Sequence, residues 1–393
     1  MDRLKQRFLK ITAVAVVLLC LLGSGLGGLF LWASKNNLLK FIKTYVLIKT
    51  QYLDRVSTAT LVEGAIQGMV DALGDPYSVY LNQDAFRELN LQIEGSFGGI
   101  GVEIDLDQEK QLVVVSPLPG TPAARAGIKS GDRIVQINGK EAAQLSLVEA
   151  AKLLRGKPGT RVSLKIWRKA NNRFLNFELV REQISVPSVT GRMLSGHPGI
   201  GYLQVMHFNR TSTIAQLKEA LAALEAGGCR GLILDLRGNP GGDLQAAVEL
   251  AGYFIPRGPV VRIVHRGGAE EVWQSPRTGK QVKVPLVVLV NEGSASASEI
   301  VAGAIKDTGS GILVGTPTFG KGLVQTVFNL DSKVGVKLTT DKYLTPKGKN
   351  IHNRGIEPDV LVKQPDGAGK DLQLEEAVRI LEDRLRQNEE KVA

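Results

Sequence analysis

The sequence predicts a multidomain protein of the mixed α/β (α+β) class, and three observations support this. A chain of 393 residues exceeds the usual size of one domain. Residues 95–183 contain short β-rich runs, Gly turns and one helical segment, whereas residues 184–363 alternate apolar strands with helices. A long uncharged run lies near the N-terminus, and we expect it to form a membrane-anchor helix followed by a small helical segment.

The composition of the chain excludes several function classes. The formal net charge is +10, but Lys and Arg are spread along the chain without interleaved aromatic residues, so we expect no nucleic-acid partner. The two cysteines, Cys20 and Cys229, supply neither a disulfide framework nor a CxxC zinc motif. None of the four histidines lies near the Ser-rich segment at 294–298, so a triad built on histidine is not indicated.

Residues 11–33 carry no charge and would span about 35 Å as a helix, enough to cross a hydrocarbon core of about 30 Å. The segment before them is basic, so the positive-inside rule places the N-terminus in the cytoplasm and the rest of the chain outside. We therefore predict that residues 1–35 form an uncleaved single-pass anchor, with the folded part in the periplasm or at the cell surface. Cleavage of this segment as a signal peptide, which would release the protein, is the alternative.

Residues 38–73 have apolar side chains at helical spacing and end at the turn Gly74-Asp75-Pro76. We assign residues 36–94 to a helical N-terminal domain. Its simplest role is packing or dimerisation.

Residues 95–183 begin with a Gly-rich turn directly before an alternating strand. Two further Gly turns surround a strand within residues 127–139, and a helix begins at Ser146, where Glu149 completes a capping box. These patterns resemble a PDZ domain over nearly its whole length, and residues 127–132, Gly-Ile-Lys-Ser-Gly-Asp, are a specific match.

The resemblance assigns a peptide-binding role to the first turn of this domain. Consecutive amides at Gly99, Ile100 and Gly101 can form a nest for a C-terminal carboxylate, while the following strand pairs with the incoming peptide. Glycines at these positions let the ligand approach closely. An ordinary tight turn in a small β-domain is the alternative for this loop taken alone.

Ser296 is the candidate nucleophile. A continuous apolar strand at 284–290 runs into the Ser-rich segment, which starts a helix at 297–308. A serine at such a turn is exposed at a helix N-terminus, where unpaired amides can stabilise an oxyanion. The helix and the strand at 311–315 form an out-and-back path of similar lengths, which can return Lys321 to Ser296 as a neutral amine base.

Two further groups complete the predicted site. Gln325 shares a strand face with Lys321 and can orient its amine, provided that the Gly-flanked loop folds back. The turn at 237–242 follows another strand, and we expect Gly241 and Gly242 to form an oxyanion hole with the amide of Ala297.

Together these segments resemble the carboxyl-terminal processing peptidases, also called tail-specific proteases. Ser296, Lys321 and Gln325 match the Ser-Lys-Gln group of that family, and the Asn-Pro-Gly-Gly turn matches its oxyanion region. The resemblance implies a serine endopeptidase that acts on extracytoplasmic proteins with exposed nonpolar C-termini, without a metal or cofactor, and that can be a homodimer. Arg155 matches an arginine that couples peptide binding to activity in similar enzymes; a helix C-terminal charge is the plain alternative.

Alternatives to the peptidase remain at this point. Ser296 and Glu299 also form the pattern of a helix capping box, which needs no catalytic role. The chain could be a catalytically silent PDZ scaffold, or another acyl hydrolase acting on an ester or cell-wall peptide. We assign residues 184–363 to the peptidase core and residues 364–393 to a charged C-terminal helix.

Overall fold

The computed structural model describes residues 38–94, 96–107, 109–185, 187–276, 281–365 and 369–392. The predicted anchor, residues 1–35, lies outside these ranges. Within them, none of the helices has both the length and the apolar character needed to span a bilayer. The described residues divide into two compact units, one that ends at residue 80 and one that begins at residue 81.

The first unit contains helices α1 (Leu38–Gln51) and α2 (Thr58–Asp71), and strand β1 (Val79–Leu81) lies at its end. The helical character predicted for residues 38–73 is confirmed, but the segment is broken at 52–57. Ser57 explains where the second helix starts, because its Oγ accepts a hydrogen bond from the Thr60 amide at 3.0 Å as an N-cap.

The second unit begins with a β-rich domain. Its elements are α3 (Gln83–Glu94), β2 (Ser96–Gly99), β3 (Val102–Leu106), β4 (Leu112–Pro117), α4 (Pro122–Arg125), β5 (Arg133–Ile137), β6 (Lys140–Glu141), α5 (Leu147–Leu154), β7 (Arg161–Arg168), β8 (Arg173–Val180) and β9 (Glu182–Ser185), with 3-10 turns at Ala142–Gln144 and Lys169–Asn171. An antiparallel sheet has the order β3-β4-β5-β7-β8, with β6 on β5, and β2 pairs with β9. The capping box of Ser146 and Glu149 is present at the start of α5.

A larger α/β domain follows. Its elements are β10 (Val189–Met193), β11 (Ile200–Val205), α6 (Thr213–Ala226), β12 (Gly231–Asp235), α7 (Leu244–Ala251), β13 (Pro259–Val264), β14 (Glu270–Gln274), β15 (Leu286–Val290), α8 (Ala297–Thr308), β16 (Ile312–Gly315), β17 (Leu323–Asn329), β18 (Gly335–Leu344), β19 (Val360–Leu361) and α9 (Leu372–Val392). The central sheet has the order β10-β11-β12-β15-β16-β19 and is parallel except at β10.

Helices cover both faces of this sheet, which explains why its central strands are apolar without alternation. Leu234 of β12 and Val288 of β15 pack with α6, α7 and α8 on one face. Ile233 and Val287 pack on the other face against α9.

The parallel strands bring three loops to one edge of the sheet. Residues 236–243 follow β12, residues 291–296 follow β15 and residues 316–322 follow β16, and these three strands are neighbours. The carboxyl edge of a parallel sheet is the usual place for a ligand site. A separate antiparallel sheet, in which β18 pairs with both β17 and β13 and β13 pairs with β14, extends from the last of these loops.

Candidate active site

Ser296 lies at the sharp turn between β15 and α8. Its φ is 54° and its ψ is −114°, a backbone conformation that costs a residue with a Cβ about 1–3 kcal/mol. Strained strand-to-helix turns of this kind expose a nucleophilic side chain. The hydroxyl of the buried Tyr343 donates to the Ser296 carbonyl oxygen at 3.0 Å and helps to fix the turn. Burial, followed by the charge of Glu299, raises the pKa of Tyr343, so this hydroxyl stays a donor.

The carboxylate of Glu299 joins the nucleophile turn to the Lys321 loop. Glu299 is 1% exposed, and its Oε1 accepts from the Thr318 hydroxyl at 2.6 Å and the Gly320 amide at 2.7 Å. Its Oε2 accepts from the Ser296 amide at 2.9 Å and the Lys321 amide at 2.8 Å. The Ser296 and Lys321 backbone nitrogens lie 2.9 and 2.8 Å from the same oxygen, so these two nitrogens are at most about 5.7 Å apart. The return of Lys321 to Ser296 that the chain path predicts is therefore present in the backbone.

The loop around Lys321 needs its two flanking glycines. Gly320 has a φ of 89°, and a Cβ there would lie 2.9 Å from the Arg354 amide nitrogen. A Cβ on Gly322 would lie 2.9 Å from the His352 amide nitrogen. The Gly-Lys-Gly motif thus lets the loop lie against the neighbouring backbone.

The Lys321 side chain is half-buried, and its environment favours the neutral amine. Burial is the largest cause that lowers the pKa of Lys321, and the ammonium group of Lys337 on β18 lowers it further. The carboxylate of Glu299 acts in the opposite direction and is outweighed. A lysine with a lowered pKa can serve as a general base near neutral pH.

The turn after β12 lies directly against Ser296. A Cβ on Gly241 would be 2.9 Å from Ser296 Cβ and 3.0 Å from the Ala297 nitrogen. The buried Asn239 fixes this contact, since its carbonyl oxygen accepts from the Ala295 amide at 3.0 Å and from the Ser298 hydroxyl at 2.8 Å.

One of the three predicted oxyanion donors is wrong. The Gly241 amide donates to Asn239 Oδ1 at 2.9 Å, so it is not open to a ligand. Gly241 is instead required because it has no Cβ. The amides of Gly242 and Ala297 donate to no group among the described residues, and they are the two that can stabilise an oxyanion.

Gln325 lies on β17 opposite Thr339 of β18. Its Nε2 donates to Thr339 Oγ1 at 3.5 Å, which is a long hydrogen bond. The direct contact with Lys321 that the sequence argument required is not among the hydrogen bonds of Gln325. The hydrogen bond of the Gln325 side chain is therefore with Thr339 of β18.

Residues 99–101 form the loop that is predicted to bind a C-terminal carboxylate. Two of its carbonyl oxygens accept hydrogen bonds from the protein, and two of its amides are open to a ligand. The carbonyl oxygen of Ile100 accepts from the Ala123 amide at 2.9 Å, and that of Gly101 accepts from the Leu118 amide at 2.9 Å. Within the described part of the chain, the amides of Ile100 and Gly101 donate to no protein group, whereas Gly99 pairs within β2 and β9. The loop can therefore form an anion nest at two of the three predicted positions.

The strand after this loop can accept a peptide. Strand β3 is at the edge of its sheet and packs beside α5, so one side of β3 is open to β-strand addition. Arg155 is the C-cap residue of α5, at the end of this groove. No group of three or more His, Cys, Asp or Glu side chains in the described ranges is arranged to hold a metal ion.

Comparison with known proteins assigns these regions to described families. Residues 199–362 match the model of peptidase family S41, residues 113–168 match the PDZ domain, and residues 31–85 match the N-terminal domain of the activating protease CtpB. The carboxy-terminal processing protease CtpB of Bacillus subtilis is 39% identical over 346 residues, which cover 87% of this chain and 71% of that one. CtpA of the same organism is 39% identical over 330 residues, covering 84% and 70%.

This chain belongs to the carboxy-terminal processing proteases of peptidase family S41. It is a serine-type hydrolase with a PDZ domain, as the sequence motifs predicted. The solved structure of the photosystem II D1 C-terminal processing protease is similar, with a TM-score of 0.52 and 33% identity over 87% of this chain and 90% of that one.

Two positioning groups of the protease were missed by the sequence argument. Glu299 was noted only as a capping residue, although three of its four hydrogen bonds go to residues 318–321. Asn239 was noted only as part of a Gly-rich turn. The signal for Glu299 was an acidic residue three positions after the nucleophile; its distant donors leave no local pattern.

Proposed function

We propose that the protease cleaves extracytoplasmic proteins after their C-termini dock on its PDZ domain. Ser296 is the nucleophile of this reaction and Lys321 is its general base. The observation that supports this dyad most directly is the Glu299 carboxylate, which binds the backbone amides of both residues.

The chemistry follows from the groups around Ser296. The neutral Lys321 amine takes the proton of Ser296 Oγ as the oxygen attacks the carbonyl carbon of the scissile bond. The negative oxygen of the tetrahedral intermediate accepts hydrogen bonds from the amides of Gly242 and Ala297. As the C–N bond breaks, the Lys321 ammonium returns the proton to the leaving amine. Water then attacks the acyl-enzyme carbonyl carbon and gives a proton to Lys321. The bond to Ser296 Oγ breaks, Lys321 returns the proton to that oxygen, and the product leaves with a new C-terminal carboxyl group.

Substrate capture uses the PDZ groove. The open amides of Ile100 and Gly101 suit a terminal carboxylate, and the free edge of β3 suits an extended peptide. A nonpolar C-terminal side chain fits beside the buried Ile100. Arg155, at the end of α5, is the residue through which docking is transmitted to the active site.

The apolar segment at 11–33 supports a location at the outer side of a cell membrane. In this proposal residues 1–35 are an uncleaved anchor and the folded domains are extracytoplasmic. The alternative is a secreted enzyme formed by signal-peptide cleavage. N-terminal sequencing of the membrane fraction distinguishes them, because the anchored form keeps the basic residues before the apolar run.

The test of the function is cleavage of an unfolded reporter by the full-length protein in detergent micelles. Wild type should cut a reporter ending in Ala-Ala faster than one ending in Asp-Asp, and Ser296→Ala should cut neither while still binding the Ala-Ala peptide. Mass spectrometry of the products distinguishes peptide-bond cleavage from other acyl hydrolysis. Binding without any cleavage by wild type would instead identify a PDZ scaffold.

A pair of glycine variants tests the docking step separately. Gly101→Ala should weaken peptide binding, because its φ is 75° and the added Cβ would lie 2.3 Å from Thr121 Cβ. Gly120→Ala is the matched control, since its φ is 73° but its Cβ would meet nothing within 4 Å. Equal binding by the two variants would remove this loop from the docking site.

A further inference from the structure

Helix α9 lies outside the segment that matches the peptidase family, yet it starts beside the active site. The match ends at residue 362, and α9 begins at Leu372. Its buried residues Ala377 and Leu381 pack on the central sheet, which fixes the position of the helix. Asp371, immediately before the helix, reaches the start of the turn that follows β12.

Asp371 holds Arg237 through two parallel hydrogen bonds. Arg237 Nη1 donates to Asp371 Oδ1 at 2.8 Å, and Nη2 donates to Oδ2 at 2.9 Å. The other edge of the guanidinium makes a two-point contact of its own with Asp235, with Nη2 donating to Oδ2 at 2.6 Å and Nε donating to Oδ1 at 3.0 Å. Nη1 also donates to Gln373 Oε1 at 3.2 Å. The Tyr202 hydroxyl also donates to Asp235 Oδ2 at 2.6 Å. The guanidinium is thus held between a carboxylate at the end of β12 and a carboxylate at the start of α9.

Charge balance does not require the second carboxylate. The Asp235 side chain is 3% exposed and that of Arg237 is 18% exposed, so this pair already neutralises itself inside the protein. Burial would raise the pKa of Asp371, but the Arg237 guanidinium and the first amides of α9 together lower it, so the pair stays ionised. Asp235 already orients the guanidinium through Nε and Nη2, so what Asp371 adds is a second two-point contact, which ties Arg237 to the start of α9.

Arg237 is the first residue of the turn that lies against Ser296. The next amide, that of Gly238, donates to Asn291 Oδ1 at 2.9 Å in the loop that leads to the nucleophile. Asn239 then binds the Ala295 amide, as described above. A displacement of Arg237 would therefore reach the Ser296 loop through the hydrogen bonds of the next two residues, Gly238 and Asn239.

We propose that Asp371 is a positioning residue of the active site, which acts by orienting Arg237 and thereby the turn that presents the Gly242 amide to the oxyanion. The inference rests on the proposed role of that turn. It extends the active-site machinery into the C-terminal helix, beyond the residues of the family match.

Asp371→Ser tests the proposal without removing the start of the helix. Asp371 Oδ1 also accepts from the Leu374 amide at 3.0 Å as a cap, and serine can replace it there. Serine is too short to bind Arg237. We expect kcat for the Ala-Ala reporter to fall about 10- to 100-fold, because a small misplacement of a catalytic group has effects of this size. KM should change less than about twofold, since docking uses the PDZ domain.

Two comparisons separate positioning from stability. Glu375→Gln, in the first turn of the same helix, should keep wild-type kcat. In an Arg237→Lys background, which keeps a cation beside Asp235, Asp371→Ser should cause no further loss of kcat, because the residue through which it acts is already changed. If Asp371→Ser does not fold, Asp371→Asn, which keeps the cap and one acceptor for Arg237, should give a smaller loss of kcat.

The outcomes that overturn the inference are specific. One is that Asp371→Ser or Asp371→Asn keeps the wild-type kcat and only has a lower melting temperature. The other is that the losses of kcat caused by Arg237→Lys and by Asp371→Ser multiply in the double variant. Both require that wild type cleaves and that Ser296→Ala does not. If wild type itself fails to cleave in a Ser296-dependent way, the proposed function fails instead.

Discussion

The proposed nucleophile and the proposed base of this protease are held by different kinds of structure. Ser296 lies between β15 and α8, where residues 286–290 and 297–305 are all buried. Lys321 lies on a loop before β17, and residues 323–327 of that strand are only half-buried. The packed core can therefore maintain a strained φ at Ser296, whereas Lys321 depends on a few directed hydrogen bonds.

This difference indicates how the site tolerates change. The nucleophile turn is fixed by many contacts, so no single neighbour should control it. Glu299 binds the backbone amides of both Ser296 and Lys321, and the Phe319 amide adds a hydrogen bond to the Ser294 carbonyl oxygen at 3.1 Å. Single substitutions that release the Lys321 loop should therefore lower kcat strongly.

Removal of the base should have the largest effect. Lys321→Ala should lower kcat by at least about 10³-fold, because proton transfer from Ser296 loses its acceptor. Lys321→Arg should not restore activity, since a guanidinium stays protonated at neutral pH. Peptide binding should remain, and reporter cleavage together with peptide titration measures both quantities.

The control for this change is Lys333→Ala, an exposed lysine on the turn between β17 and β18. It should cleave at the wild-type rate. Normal cleavage by Lys321→Arg would contradict the role of Lys321 as base.

Glu299→Gln should have the second largest effect. An amide of the same shape has one acceptor oxygen, so two of the four donors around Glu299 lose their partners. We expect kcat to fall about 10²-fold through misplacement of Lys321. The free energy of unfolding should fall by about 2–6 kcal/mol for two unsatisfied buried donors. Steady-state kinetics and thermal unfolding measure the two losses.

Glu292→Gln makes the same chemical change in the loop before Ser296, where the carboxylate accepts from the Thr316 hydroxyl. It should leave kcat near the wild-type value. A Glu299→Gln enzyme with normal kcat would mean that the base loop is fixed by other contacts.

The contrast between the packed Ser296 turn and the Lys321 loop also explains which parts of the molecule could be predicted from the sequence. The helix at 297–308 was predicted with the bounds that the structure gives, because an apolar strand, a cap and helical periodicity are all local signals. The break between α1 and α2 was missed, although Ser57 is a local cap signal.

The details around Lys321 could not be predicted in this way. Three donors to Glu299 lie 19 to 22 positions along the chain from it. Gly241 was assigned an open amide because a Gly-rich turn does not reveal that Asn239 Oδ1 occupies it. Such contacts depend on how strands and loops meet in space, so the sequence predicted which segments form the site but not which atoms remain available.

Lys337→Met should have the smallest effect and should act through pH. The Lys337 ammonium is the second largest cause, after burial, that lowers the pKa of Lys321. Lys321 must be neutral to accept a proton, so kcat/KM falls as the pH drops through its pKa. Removing the positive charge of Lys337 raises that pKa, so the acid limb of the profile should move to higher pH. We expect a several-fold loss of kcat/KM at pH 7 and an unchanged kcat/KM on the alkaline plateau.

Lys337→Arg should keep the wild-type profile, as should Lys342→Met, which removes an exposed charge from the same strand. A Lys337→Met profile that coincides with that of Lys342→Met would show that burial alone sets the pKa of the base.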